Sequence, residues 1–271
     1  MVLEQTQFIL DMHVHCSEGS VDAKASIFDI ASKLKSQGFN GMVITDHDSY
    51  GGYEAWMKSD RKDQDLQGFK VFKGIEYDTS DGGHILVIMP EDADTKIFEL
   101  RGLKVRTLID LVHKMGGVLG PAHPFEYKRL GIANNPRWFD KLDVFTKFDF
   151  IEGFNSCCGE MGNILAQALG RTYGLSSTSG SDAHKLECVG KARTVIDTTT
   201  KEINTTRDLI EAIKENRILE ANGEYHQSTL VKYRTLFETS LYGFYLFNKL
   251  ESLRLKWRRE AEHARILQSM M

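Results

Sequence analysis

Short apolar runs recur along this chain, and stretches with the three-to-four-residue apolar spacing of helices lie between them; this alternation confines the fold to repeated β-α units. Phe8-Ile9-Leu10 is the first run, and a helix that Ser26 can cap, with Asp29 three residues on, follows it and closes at Gly38. Gly41–Thr45, Phe69–Ile75, His84–Met89, Gly117–Gly120, Phe148–Phe154 and Leu175–Gly180 read as further strands, with helices over Val105–Met115, Gly159–Tyr173 and Thr205–Glu215. The string predicts an α/β barrel of about seven or eight strands, although a doubly wound open sheet would give a similar one.

The 271 residues suit one such barrel, and no repeat, low-complexity segment or Pro/Gly/Ser linker marks a boundary inside it. The expected organisation is a barrel over 1–225 and a helical C-terminal extension over 226–271. Within that extension Leu230, Tyr233, Phe237, Leu241, Phe244 and Leu253 form a helical stripe across Thr229–Leu267, with packing onto the barrel as its expected role. The N-terminus lacks a basic segment followed by an apolar one, and no run is long and apolar enough to span a bilayer, so a cytoplasmic protein with no membrane span is expected. A net charge of −4 argues against a broad basic face, and no stable nucleic-acid binding is expected. Cys16, Cys157, Cys158 and Cys188 show no C-x-x-C spacing, which points to reduced thiols rather than a zinc knuckle or a disulfide framework.

After nearly every apolar run the chain changes from aliphatic residues to His, Asp or Glu. Asp11, His13 and His15 follow the first run, Asp46 and His47 the second, Glu76 the third and His123 the fifth; Glu152 and Asn155 end the sixth, and Asp182 and His184 follow the seventh. A barrel gathers the C-terminal ends of its strands on one face, so these residues meet across one cleft. His13-x-His15 on a strand sends both imidazoles to the same side, and Asp182-x-His184 repeats that geometry with a carboxylate. One histidine at a strand end is ordinarily a hydrogen-bonded structural residue; a succession of them needs ions or close pairing to offset its desolvation. Imidazole and carboxylate without thiolate suit Mn²⁺, Fe or Zn²⁺, and a donor set this large implies two or three divalent ions. His84 breaks the pattern because it begins its run; Gly82-Gly83 before it permits a loop that returns to the same rim.

In order along the chain, Asp11-Met12-His13-Val14-His15, Ile44-Thr45-Asp46-His47-Asp48, Gly74-Ile75-Glu76, Gly83-His84, Ala122-His123-Pro124-Phe125, Ile151–Asn155 and Gly180–His184 resemble the PHP (polymerase and histidinol phosphatase) superfamily of metal-dependent phosphoesterases. The resemblance covers about residues 8 to 197 and implies a distorted (β/α)7 TIM-like barrel with a trinuclear metal site. By motif position it implies His13, His15, His47, Glu76, His84, His123, Asp182 and His184 as metal ligands, Glu76 as a bridging carboxylate, and Asp46 as a residue that orients a ligand histidine. Where family members carry Ser-Asp-Gly after the histidine pair, this chain reads Cys16–Asp22, which leaves Glu18 or Asp22 as the carboxylate for a third metal.

The expected activity is hydrolysis of a small phosphate ester, a nucleotide or oligonucleotide, by a metal-activated hydroxide, with Asp182 bridging ions and His184 or His123 stabilising the leaving alkoxide. A histidinol-phosphate-type phosphatase is the alternative, and a metal-dependent amidohydrolase is a more distant one whose ligand order differs. Lys128, Arg129, Lys191 and Arg193 follow ligand motifs and are candidate substrate cations, and Asn155 is a candidate to orient phosphate or a ligand.

Overall fold

Period-two alternation at the start of Gln7–Val14 (β1) puts Phe8, Leu10 and Met12 into a core with Val43, Phe72, Leu86, Ile88, Val118 and Phe150, and the register shifts between Asp11 and Val14, around His13. This is seen in a computed structural model that describes residues 6–126, 130–138, 141–226, 247 and 249–269. Gly41–Ile44 (β2) lies parallel to β1 and Lys70–Thr79 (β3) parallel to β2, with Leu10 opposite Gly41 and Met42 opposite Val71. Gly83–Ile88 (β4) then runs antiparallel to β3, and Val118–Pro121 (β5) antiparallel to β4. Reversal of β4 is the physical answer to His84: the first residues of an antiparallel strand lie at the rim where its neighbours end.

Phe150–Asn155 (β6) and Ser176–Gly180 (β7) form a separate parallel pair. Its edges sit in the gap between the two ends of the barrel wall. The Asp149 N–H donates to the Leu119 carbonyl at 2.9 Å, and past β7 the Asp182 N–H donates to the His13 carbonyl at 2.8 Å. The ring β1 to β7 is therefore a distorted, partly interrupted TIM-like barrel. Two strands that the sequence reading does not contain, Ala192–Asp197 (β8) and Ile218–Gly223 (β9), extend the β1 edge in antiparallel fashion, so the continuous sheet has seven strands in the order β5-β4-β3-β2-β1-β8-β9.

Helices Ile27–Ser36 (α1), Gly51–Lys58 (α2), Val105–Lys114 (α3), Glu160–Tyr173 (α4) and Thr206–Lys214 (α5) cover the wall. Ser26 caps α1 by accepting from the Asp29 N–H at 3.2 Å, as its spacing predicts. α3 buries Val105, Leu108, Ile109, Leu111 and Val112, and each such side chain contributes about 1.5–3 kcal/mol when fully buried. In the extension, Lys256–Ser269 (α6) seats Ile266 in the core beside Ile97 and Phe98, and Arg265 pairs with Asp94 at 2.7 Å. Leu230, Tyr233, Phe237, Leu241 and Phe244 lie outside the described residues. No helix among the described residues is long and apolar enough to cross a membrane.

Candidate metal centre

His13, the last inward residue of β1, is fully buried. Its Nδ1 lies 2.9 Å from Glu152 Oε1, so the proton belongs on Nδ1 and the Nε2 lone pair faces the cleft. That Nε2 is 3.1 Å from Nε2 of His15, and both lie within 3.5 Å of Asp182 Oδ1. His15 is steadied from behind by Ser20, whose Oγ is 3.3 Å from its Nδ1 and donates in turn to Asp46 Oδ1 at 3.0 Å. Asp46 therefore does not reach the cluster; it also accepts from the N–H groups of Cys16 and Gly52 and acts on His15 through Ser20.

Glu76 joins the two halves of the cluster. Its Oε1 lies 2.9 Å from His84 Nδ1 and 2.9 Å from His123 Nε2, while Oε2 lies 3.1 Å from His47 Nδ1, 3.3 Å from His15 Nε2 and 3.4 Å from His13 Nε2. Glu76 falls within β3, not after it, because β3 continues to Thr79 as one arm of the β3–β4 hairpin. Across the cleft, His184 gives its Nδ1 proton to the Asp182 carbonyl at 3.1 Å and turns Nε2 toward His47 Nε2, 3.5 Å away. Asp22 Oδ2 completes this side at 3.5 Å from His47 and 3.3 Å from His184.

Three donor groups result: His13, His15 and Asp182; His47, Glu76 and His84; and His15, His47 and His184, each with its donor atoms within 4.8 Å of one another. The donors fit cations better than they fit each other. Glu76 Oε2, His84 Nε2 and His123 Nδ1 are buried and make no hydrogen bond to any described residue, a costly state for polar atoms with lone pairs to offer. His123 and Asp182 also hold φ values of 27° and 51°, a left-handed backbone that side chains other than glycine rarely adopt. Gly180 is required by contact, since a Cβ there would lie 2.2 Å from His13 Cβ and 2.5 Å from Glu152 Oε1.

Charge among these side chains is divided between acid and base. Burial pushes Glu76 and Asp182 up, but surrounding histidines outweigh it and hold both carboxyls well below the usual range. Burial likewise pushes His123 and His184 down; Glu76 beside the first, and Asp22 and Asp182 beside the second, raise each to about 9. His47 goes the other way, to about 4, because burial and the neighbouring histidines outweigh Glu76.

Some expected positions lie elsewhere. Glu18 does not approach the cluster; its carboxylate accepts from the Ile27 N–H at 3.0 Å at the start of α1, so Asp22 alone of the two comes to the cleft. Arg193 is exposed on β8, where it donates to Asn222 Oδ1 at 3.2 Å along the β8–β9 ladder, directed away from the cleft by strand alternation. Lys191 is half-buried before β8, and Lys128 and Arg129 lie outside the described residues. Asp11 is a tie between β1 and the loop after β7: its Oδ1 accepts from the Ser181 N–H at 3.0 Å. Asn155 donates to Glu152 Oε2 at 3.1 Å and to Asp182 Oδ2 at 3.3 Å, which makes it a brace between two carboxylates. Glu152 itself ends the sixth apolar run without a role assigned from sequence; a single acid between Ile151 and Gly153 in a buried strand is the available signal.

The PHP-associated family (PHP_C) matches residues 160–218, from α4 to the start of β9. Among solved structures, PsfC from Pseudomonas syringae superposes with a TM-score of 0.61 at 18% identity over 98% of this chain and 100% of that one. A two-domain protein from Bacteroides vulgatus containing a predicted PHP-like metal-dependent phosphoesterase gives a TM-score of 0.60 at 17% identity, over 81% of this chain and 65% of its own. The lesion-specific endonuclease EndoQ from Pyrococcus furiosus gives 0.60 at 19% identity, over 80% of this chain and 59% of its own. The chain thus spans all of the first and about two thirds or less of the other two. No curated protein matches it by sequence.

Proposed function

We propose that this chain, which has a PHP-associated segment and a fold similar to that of a predicted PHP-like phosphoesterase, is a PHP-superfamily metal-dependent phosphoesterase acting on a small phosphate ester, with nucleotides or short oligonucleotides as the substrate class. The observation that carries this reading is Glu76, whose two oxygens face two separate sets of histidines, as a carboxylate shared between neighbouring cations must. His13, His15, His47, Glu76, His84, His123, Asp182 and His184 would hold two or three ions, with Asp22 as the added carboxylate for a third; Mn²⁺, Fe or Zn²⁺ suit these donors.

Divalent ions bound in such a site lower the pKa of a bound water toward neutrality and offset the charge of phosphate oxygens. The chain's own residues supply the arrangement. Glu152 fixes the tautomer of His13, Ser20 and Asp46 steady His15, and Asn155 keeps Glu152 and Asp182 apart at a set spacing. His184 is the most exposed of the six histidines, its side chain 29% accessible, and its Nδ1 proton is tied to a carbonyl. Its Nε2 therefore faces the cleft, where it would hold an ion with His15 and His47 or, with no ion on that atom, pass a proton to the leaving alcohol. A net charge of −4 favours a small ester over a long duplex, which is gripped by many phosphate contacts.

The test is a substrate panel on protein loaded with Mn²⁺, Fe²⁺ or Zn²⁺: histidinol phosphate, nucleoside bisphosphates, short oligonucleotides and an N-acyl amino acid. Phosphate release from the nucleotides is expected, and turnover of the amide alone would overturn the reading. His13→Ala should lower metal content and abolish turnover, since it removes a donor shared with His15 and Asp182.

A further inference from the structure

We infer that Arg101 is a positioning residue for the metal centre, held in place by the C-terminal helical segment; this rests on the metal-centre reading above. The structural link is Asp48. It follows His47 at a φ of 47°, and its N–H donates to the Glu76 carbonyl at 3.1 Å while the Glu76 N–H donates to the Asp46 carbonyl at 3.2 Å. These two bonds splice the loop that carries His47 to the strand that carries Glu76. The Asp48 side chain extends the splice: Oδ1 accepts from the Asp78 N–H at 2.9 Å, and Asp78 stands opposite His84 in the β3–β4 register. Asp48 therefore braces the His47, Glu76 and His84 group, through its backbone N–H at Glu76 and through its carboxylate at Asp78.

That carboxylate is buried, with 5% of its side chain accessible, and a buried charge keeps its place only beside a partner. Arg101 Nη2 lies 2.8 Å from Asp48 Oδ2 and is the only cation within ion-pair distance of it among the described residues. Arg101 is held from both sides. Tyr77 Oη donates to the Leu100 carbonyl and accepts from the Leu103 N–H, both at 2.8 Å, and the Gly102 N–H donates to the Asp78 carbonyl at 2.9 Å, which lashes residues 100–103 to β3. From the C-terminal side, Arg259 Nη1 donates to the Arg101 carbonyl and, at 3.2 Å, to that of Ser252, and the Arg101 guanidinium lies 6.0 Å from the Phe247 ring centroid. The approach is close enough to need glycine: at Gly102, with φ 99°, a Cβ would lie 1.9 Å from Ser252 Oγ.

Without Arg101 the Asp48 carboxylate is a buried charge with no counter-ion, and it relieves that state by turning toward water. The turn loosens its bond to Asp78 and, with it, the spacing of His47, Glu76 and His84. Arg101 acts on these donors through Asp48, so its removal should weaken the ion held by His47, Glu76 and His84 more than the one held by His13, His15 and Asp182, for which Glu76 is the only shared group.

The experiment is a Mn²⁺ titration of the full chain at pH 7.5, read by electron paramagnetic resonance of free Mn²⁺, with near-ultraviolet circular dichroism to confirm folding. Arg101→Met is expected to weaken one uptake step about ten- to a hundredfold, the usual effect of losing a partner behind a ligand, while another step shifts less. Arg101→Lys should recover part of the loss. Adding Asp48→Asn to Arg101→Met should recover most of it, since the amide oxygen still accepts from the Asp78 N–H and leaves no charge to compensate. Should Arg101→Met not fold, Arg259→Met, which reaches Arg101 through its carbonyl, should shift the same step in the same direction. Wild-type uptake combined with unchanged curves for the folded variants overturns the inference alone. Absence of Mn²⁺ uptake by the wild-type chain overturns the metal-centre reading and the inference with it.

Discussion

At Glu76 a single side chain meets five imidazoles within 3.4 Å, and the proton content of the cluster follows from that crowding. In the ion-free chain His123 and His184 titrate near 9, above the ordinary value of 6.5, so both are protonated at neutral pH, whereas His47 at about 4 is neutral. The sign follows: folded pKa values raised above the unfolded one stabilise the ion-free protein fully below about pH 6.5, and that contribution is lost as pH rises through about 9. Cations must displace these protons to reach the ring nitrogens. Uptake at pH 7.5 is thus expected to release protons, and fewer of them above pH 9. Calorimetric titration of chelator-treated protein in two buffers of different ionisation enthalpy measures the count, and identical heats in both buffers would contradict it.

At the scale of elements, sequence reasoning reaches β1 to β7 and four of the helices because period-two and helical apolar spacing are local properties of the chain. It places His13 and His15 on one side of a strand for the same reason. Direction is not local: nothing in Gly83–Ile88 states that β4 runs backwards, which is why His84 looks misplaced in the sequence. β8 and β9 escape such reasoning because Arg193, Thr194 and Asp197 break up the short apolar run of Ala192–Asp197, and Ile218–Gly223 is a largely exposed edge that carries Glu220 and Asn222. Glu18 is a natural candidate by distance in sequence, but an acid before a helix start is equally suited to the orphan N–H groups there, and the Ile27 N–H takes it. Spacing also hides the demand for glycine at position 180, which exists only once β7 lies against His13. Gly180→Ala should cost about 1–3 kcal/mol as an overpacked core site and displace His13 from Glu152. Chemical denaturation with and without Mn²⁺ measures this, and an unchanged midpoint in both conditions would mean that the two strands have room to part.

Across the whole molecule, the barrel gathers donors from His13 through to His184, nearly the full length of the barrel sequence, onto one rim. Helix α6 and the segment before it pack against residues 94–102 on the same side of β3, so the extension is joined to the wall that carries Glu76. A cluster assembled from so many strands exists only in the folded chain, and ions bound there stabilise it by mass action, about 2.7 kcal/mol at a hundredfold excess over Kd. The most direct measurement is anomalous scattering from crystals grown with Mn²⁺. Two or three peaks are expected, one between His13, His15 and Asp182 and one between His47, Glu76 and His84, with Glu76 bridging them. A map with no peak among these side chains, or with ions only at surface carboxylates, would contradict the account.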